Sequence, residues 1–165
     1  MIRICALFCQ LIFTLACTDM SLAQSIRAGV AKVDITKVEA GPVNDPLFAK
    51  ALVIADEKQT IVLVSVDAVA IGEIGYIKND YLPTVRKQLE SELGIPASHL
   101  VVNASHCHGI VCDDVAERTL EAIRKAKSNM GPVKIGTGIG TEDRIMENRR
   151  LRMKDGREID VRHAY

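Results

Sequence analysis

The fold and the candidate site of this chain both depend on one stretch, Leu100-Val-Val-Asn-Ala-Ser-His-Cys-His-Gly109. Its first three residues are an apolar run that predicts a short buried β-strand, and the strand leads directly towards the histidines. Residues two apart on an extended segment point to the same side, so His106 and His108 can present two imidazoles to one point. Because neutral imidazole binds zinc and shuttles protons, this strand end is a candidate site.

The segments on both sides of this stretch predict an α/β fold. Two apolar runs that are rich in β-branched residues, joined by four polar residues, are typical of a hairpin. Apolar residues at three- and four-residue steps predict two helices. Strands and helices in this order favour a mixed sheet with flanking helices. The predicted strands cover residues 26–36, 47–55, 60–66, 100–102 and 132–139, and the predicted helices cover residues 79–93 and 115–127.

The N-terminal residues predict an export signal. A basic start at Arg3 precedes an apolar stretch over residues 4–16, and small residues at Ser21 and Ala23 fit a cleavage site. We therefore expect residues 1–23 to be a signal peptide and the protein to be exported, periplasmic or secreted. Lipid attachment at Cys17 is the alternative. The apolar stretch is short for a membrane-spanning helix, so we expect no transmembrane segment after cleavage.

The composition is typical of an ordinary folded domain. The chain has 165 residues and a formal net charge of zero, which does not indicate a nucleic-acid surface or a basic membrane patch. Signal cleavage would leave two cysteines, Cys107 and Cys112, which an oxidising compartment would allow to pair. Residues 157–165 show neither a helix C-cap nor a polar tail, so we expect residues 24–165 to be the N-terminal part of a larger α/β domain.

Several charged residues are weaker candidates for function. Asp67 ends an apolar strand, and it either lines a cleft or is a solvated strand terminus. Asp113 and Asp114 precede the second helix, which favours helix capping over metal binding. Arg149 either binds an anion or carbonyl group or belongs to a solvated basic strand.

Five short motifs occur in one order along the chain, and together they carry a resemblance. The series resembles the N-terminal part of the neutral/alkaline (non-lysosomal) ceramidase family, over about residues 27–150. The motifs are Ala28-Gly-Val-Ala-Lys-Val-Asp-Ile-Thr36, Asp45-Pro-Leu-Phe-Ala-Lys-Ala-Leu-Val53, Ile61-Val-Leu-Val-Ser-Val-Asp67, Val102-Asn-Ala-Ser-His-Cys-His-Gly109 and Asn148-Arg149.

The resemblance implies a secreted α/β enzyme that uses zinc and water to hydrolyse the N-acyl amide bond of ceramide. It implies that His106 is a zinc ligand, that His108 contacts the substrate or the metal-bound water, and that Arg149 lies near the reacting bond. It also implies a ceramide-like lipid substrate, met at a membrane or micelle surface. The family's motif usually runs His-Thr-His-Ser-Gly-Pro, whereas this chain has Cys107 in place of threonine and Gly109 directly after the second histidine.

The family's other zinc ligands and its serine belong to segments that follow residue 165. We therefore expect the chain alone to be inactive, because one or two histidines hold zinc weakly. Two alternatives remain open. The first alternative to the enzyme interpretation is a non-catalytic secreted remnant that binds a lipid or a metal. The second is a small metal-binding module built from His106, Cys107, His108 and Cys112.

Overall fold

A five-stranded sheet with two helices forms the main body of the protein. The computed structural model describes residues 26–145 and 150–160. The chain divides into two compact units, one up to Lys134 and one from Ile135 onwards. The elements of the first unit are β1 (Arg27–Asp34), β2 (Phe48–Ala55), β3 (Thr60–Val66), α1 (Tyr81–Leu93), β4 (Leu100–Ala104), α2 (Val115–Ser128) and β5 (Gly131–Pro132).

The sheet is mixed, as the sequence predicts. Its strand order is β4-β3-β2-β1-β5. The predicted hairpin is confirmed, because β2 and β3 pair antiparallel from Ala49 with Val66 to Ala55 with Thr60. Strand β4 pairs parallel to β3, because the chain between them crosses over through helix α1.

Both helices cover the same face of the sheet. Alternate strand residues such as Val53, Val62 and Val64 are buried there against Leu89 and Leu120 of the helices. The residues between them point to the other face, where they remain partly or largely exposed. The predicted burial of residues 100–102 is therefore wrong in part: Leu100 is buried, whereas Val101 lies on the uncovered face and is 55% exposed.

Helix α1 ends where the sequence predicts. Gly94 follows the helix with φ of 65°, and its N–H binds the carbonyl of Glu90. Glycine adopts this left-handed conformation without the steric cost of a side chain.

Helix α2 begins at Val115, as the sequence predicts, but its capping differs from the prediction. Asp114 occupies the N-cap position but makes no capping hydrogen bond. Its carboxylate instead accepts one bifurcated hydrogen bond from Nε–H of Arg118, one turn further on, with both carboxylate oxygens 3.0 Å from Nε. Asp113 pairs with Lys37. The expected capping pair is wrong because both carboxylates have cationic partners within reach.

The second unit contains a small hairpin formed by β6 (Arg150–Arg152) and β7 (Glu158–Asp160), with Gly156 in its turn. The predicted strand over residues 132–139 is wrong, since only Pro132 belongs to a strand there. Three glycines at positions 136, 138 and 140 make ordering of that backbone costly and leave few side chains to pack. Within the described ranges, no helix has the length and apolar character needed to cross a membrane.

Candidate active site

The two candidate histidines lie on the loop that follows strand β4. The strand ends at Ala104, so the histidine segment is not the extended continuation that the sequence predicts. His106 has a φ of 63°, which turns the chain in the left-handed sense. The two imidazole rings nevertheless meet, with centroids 5.1 Å apart and planes at 88°. His106 and His108 come together on an irregular loop that contains one left-handed residue, not on a strand.

The ring of His106 is fixed by a backbone carbonyl. Its Nδ1 atom lies 2.9 Å from the carbonyl oxygen of Val69. A carbonyl oxygen only accepts hydrogen bonds, so Nδ1 carries the proton, and in a neutral ring Nε2 is left with a free lone pair. Metal-binding histidines are commonly held in this way, with one nitrogen on a carbonyl and the other on the metal.

The histidine loop brings two side chains of metal-ligating type close together. A zinc ion needs three or four protein ligands, and the two histidines provide two imidazoles. Across residues 26–145 and 150–160, no group of three or more His, Cys, Asp or Glu side chains is arranged to hold a metal. A stable zinc site would need further ligands in addition to these residues.

The two cysteines lie in different surroundings. Cys107 is half-buried and Cys112 is buried, and both are free thiols. Burial, followed by the hydrogen bond that the thiol donates to Asp114, raises the pKa of Cys112 to about 12. Cys107 and Cys112 line two separate cavities, of 570 Å³ and 440 Å³.

Asp67 connects the histidine loop to the sheet. Its side chain is 14% exposed, and its Oδ1 accepts a hydrogen bond of 3.0 Å from the hydroxyl of Ser105. Its Oδ2 accepts a bond of 3.0 Å from the Phe48 N–H, and Nζ of Lys50 lies 2.9 Å from the same oxygen. Burial alone would raise the pKa of Asp67, but these donors outweigh it and lower that pKa. Asp67 is therefore a charged carboxylate whose two oxygens both accept hydrogen bonds, and not a solvated strand end.

A cavity of about 570 Å³ lies between the loop that follows β1 and the histidine loop. Its volume is in the range of small-molecule sites. Apolar side chains such as Val43, Leu47 and Ile110 line it together with Asp67 and Cys107. Gly109 borders the cavity: a Cβ there would lie 2.7 Å from Leu47 Cδ1, so a larger residue would require the Leu47 side chain to shift.

Sequence reasoning identified the histidines and Asp67 but missed the groups that hold them. Val69 acts through its backbone carbonyl, and a residue type gives no signal for that role. Ser105 directly precedes His106 in the sequence, and a hydroxyl at that position is a sequence signal for a hydrogen bond beside the site. Arg149, the other predicted catalytic residue, lies outside the described residues, as does the predicted signal peptide over residues 1–23.

Comparison with solved structures relates this fold to the ceramidases. The matching structures include a ceramidase complexed with C2 and the neutral ceramidase from Pseudomonas aeruginosa, each with a TM-score of 0.55 and 16% sequence identity. At this identity the likeness concerns the fold, a mixed sheet with flanking helices. No known family profile matches the chain, and no curated protein matches its sequence.

The match covers a larger share of this chain than of the ceramidase chains. It covers 66% of this chain and 22% of each ceramidase chain. The chain thus spans about a fifth of the length of the proteins that it matches. Any activity of those whole proteins is for this chain a matter of proposal.

Proposed function

We propose that this chain forms the first part of the active site of an exported, zinc-dependent amidohydrolase of the neutral ceramidase type. The bond hydrolysed would be the N-acyl amide bond of ceramide or a related lipid amide. The ceramidase-like fold and the five ordered sequence motifs support the proposal. The observation that carries it is the hydrogen bond from His106 Nδ1 to the Val69 carbonyl, which leaves Nε2 available as a metal ligand.

Each candidate residue has a role in this proposal. His106 would bind zinc through Nε2, together with ligands that the described residues do not supply. Zinc, when bound, lowers the pKa of a coordinated water and polarises a carbonyl oxygen. His108, whose ring meets that of His106 edge-on, would hold or transfer a proton near the reacting amide. Arg149 would bind the carbonyl side of the same bond.

The lipid substrate and the export pathway belong to the same proposal. Residues 1–23 have the pattern of a signal peptide, which favours a periplasmic or secreted enzyme that meets its substrate at a membrane or micelle surface. The apolar cavity beside the histidine loop has the size and lining to accept part of an apolar molecule.

The proposal is tested on the whole protein purified from the cells that make it naturally, including any segments beyond these 165 residues, and not on the 165-residue chain alone. The purified protein is incubated with a short-chain N-acyl sphingosine in detergent micelles, and the released free amine is measured. We expect amide hydrolysis that a chelator abolishes and added zinc restores.

Two histidine variants make this test specific. His106→Ala removes the proposed ligand and should abolish hydrolysis. His99→Ala is the matched control, because Nδ1 of His99 also binds a backbone carbonyl, that of Thr60 at 2.9 Å, but at the other end of β4. It should keep its activity. Absence of amide hydrolysis by the natural protein, or equal activity of the two variants, would overturn the proposal.

A further inference from the structure

Two chain segments meet twice beside the histidine pair. One runs from Asp67 to Val69, directly after β3, and the other runs from Ser105 to His106, directly after β4. The first contact is the bond of 3.0 Å from the Ser105 hydroxyl to the Asp67 carboxylate. The second is the bond of 2.9 Å from His106 Nδ1 to the Val69 carbonyl. Neighbouring residues on each segment make the two contacts, so the first restricts the geometry of the second.

The first contact is well anchored. Asp67 is fixed to strand β2 through its backbone as well as its side chain, since its N–H donates to the Phe48 carbonyl at 2.9 Å. The ammonium of Lys50 lies 3.1 Å from the oxygen that also accepts from Ser105. A charged acceptor makes a stronger hydrogen bond than a neutral one. Ser105 is thereby held against a carboxylate that has little freedom to move.

The residue that makes the second contact, His106, has an uncommon backbone conformation. His106 adopts φ of 63°, and a side-chain-bearing residue in this region persists only when its surroundings hold it there. The Nδ1–H form that the Val69 carbonyl requires must be imposed as well, because the proton of a free neutral imidazole is shared between both nitrogens. The neighbouring Ser105 can help to hold both features, because its hydroxyl bonds Asp67 and its N–H donates to the Val66 carbonyl at 3.0 Å.

We propose that Asp67 is a positioning residue: through Ser105, its carboxylate holds the His106 ring with Nδ1 against the protein and Nε2 left for a ligand. That Nε2 would serve a metal rests on the proposed function, whereas the orientation of the ring does not. Asp67 itself touches neither histidine and acts through the loop.

Nitrogen-15 NMR of the histidine rings in the full-length chain tests this inference. In the unaltered protein, when the ring is neutral, Nδ1 of His106 should resonate in the protonated range and Nε2 in the unprotonated range. Ser105→Ala removes only the link between the carboxylate and the loop, and Asp67→Ala removes its acceptor. In both variants the two His106 resonances should move towards each other, as the ring begins to exchange between its two neutral forms.

Two controls keep the test local. His99 has the same Nδ1-to-carbonyl bond and no contact with the Asp67 carboxylate, so its resonances should stay unchanged in every variant. Asp56→Ala removes a carboxylate from the other end of the same hairpin, where it binds the N–H groups of Lys58 and Gln59, and it should leave His106 unaffected.

The outcome separates this inference from the proposed function. Unchanged His106 resonances in Ser105→Ala would overturn the positioning role, and this variant decides the matter even if Asp67→Ala fails to fold. The proposed function is checked separately by adding zinc alone to the labelled, unaltered protein as its natural cells produce it, with whatever further ligands that protein carries. If the His106 resonances respond to the substitutions but not to zinc in that protein, the positioning role stands and the zinc-ligand role fails.

Discussion

The hydroxyl oxygens of Tyr81 and Thr119 lie 2.9 Å apart in the buried contact between helices α1 and α2. Thr119 donates its own proton to the carbonyl of Val115, at 2.8 Å. Tyr81 must therefore be the donor between the two hydroxyls, since each has a single proton. This chain of hydrogen bonds is the polar link that joins the two helices inside an apolar core.

The direction of this bond predicts that substituting its two partners lowers the free energy of unfolding by unequal amounts. Thr119→Val leaves a buried tyrosine hydroxyl without an acceptor and should lower the free energy of unfolding by roughly 1–3 kcal/mol. Tyr81→Phe leaves Thr119 still bonded to Val115 and should cost about 1 kcal/mol. Urea denaturation measures both, and Thr84→Val, the same change at a half-buried position of α1, should cost less than about 0.5 kcal/mol. A larger cost for Tyr81→Phe than for Thr119→Val would contradict the assignment.

The same tyrosine predicts a loss of stability at high pH. Burial, only partly offset by the bond to Thr119, raises the pKa of Tyr81 to about 12, above the value of about 10 in an unfolded chain. Its stabilising contribution is therefore complete below pH 10 and is lost as the pH rises towards 12. Between pH 9 and 11 the unaltered protein should lose more stability than Tyr81→Phe. Parallel urea midpoints for the two proteins across this range would contradict the prediction.

The contact between β1 and the end of α2 predicts that Gly29 tolerates no side chain. A Cβ at this position would lie 2.0 Å from the carbonyl oxygen of Ala126 and 2.9 Å from the backbone nitrogen of Met130. Both atoms belong to backbone, so a substitution must move helix or strand. Gly29→Ala should cost about 3 kcal/mol or more, measured by thermal or urea unfolding.

The control for this prediction is another glycine of the same sheet. A Cβ on Gly131 would meet no atom within 4 Å, so Gly131→Ala should change the free energy of unfolding by less than about 0.5 kcal/mol. If both alanine variants unfold at the same urea concentration, helix α2 does not pack on β1 as closely as the structure places it.

The sequence predicts the fold well where the signal is local. The hairpin of β2 and β3 and the two helices follow from hydrophobic periodicity and turn residues within each element. The failures have two causes. Within α2, the ion pair with Arg118, one turn further on, takes the Asp114 carboxylate in place of a capping hydrogen bond. Val101 is exposed because helices cover only one face of the sheet, and a single segment does not show which face of the sheet is covered.

The candidate site divides in the same way. The spacing of His106 and His108 correctly predicts that their rings approach one another, although they do so on an irregular loop that contains one left-handed residue, and not on a strand. The carbonyl of Val69 and the donors around Asp67 come from segments that are distant in sequence. Those contacts exist only after β3 and β4 have paired, so no local sequence pattern predicts them.

The surroundings of the two described cysteines predict selective alkylation. Cys112 is buried, and its pKa of about 12 leaves almost no thiolate at pH 8. Cys107 is half-buried and lines a cavity. Iodoacetamide should therefore label Cys107 in the folded protein and leave Cys112 unmodified, as located by tandem mass spectrometry, whereas concentrated urea should expose both. Equal labelling of the two thiols in the folded protein would show that the loop opens.

The carboxylate of Asp67 predicts acid sensitivity. Although its burial opposes ionisation, the donors Lys50, Phe48 N–H and Ser105 lower its pKa below the unfolded value of about 4. A lowered pKa gives stability that is present above pH 4 and is lost as the pH falls through the folded value. The unaltered protein should be more stable than Asp67→Ala by about 1–3 kcal/mol at pH 7, and this difference should shrink towards pH 2.5.

Urea denaturation at the two pH values measures that difference, and a neighbouring non-titrating substitution is the control. Asn103→Ala removes an amide that donates to Ser65 at 3.4 Å on the same face of the sheet. Its effect should be the same at both pH values, because an amide does not ionise. A pH-independent cost for Asp67→Ala would mean that the pKa of Asp67 is the same in the folded and the unfolded protein. In that case Lys50, the Phe48 N–H and Ser105 would not favour the charged carboxylate over its neutral form, and the anchor beneath the histidine loop would be weaker than its geometry indicates.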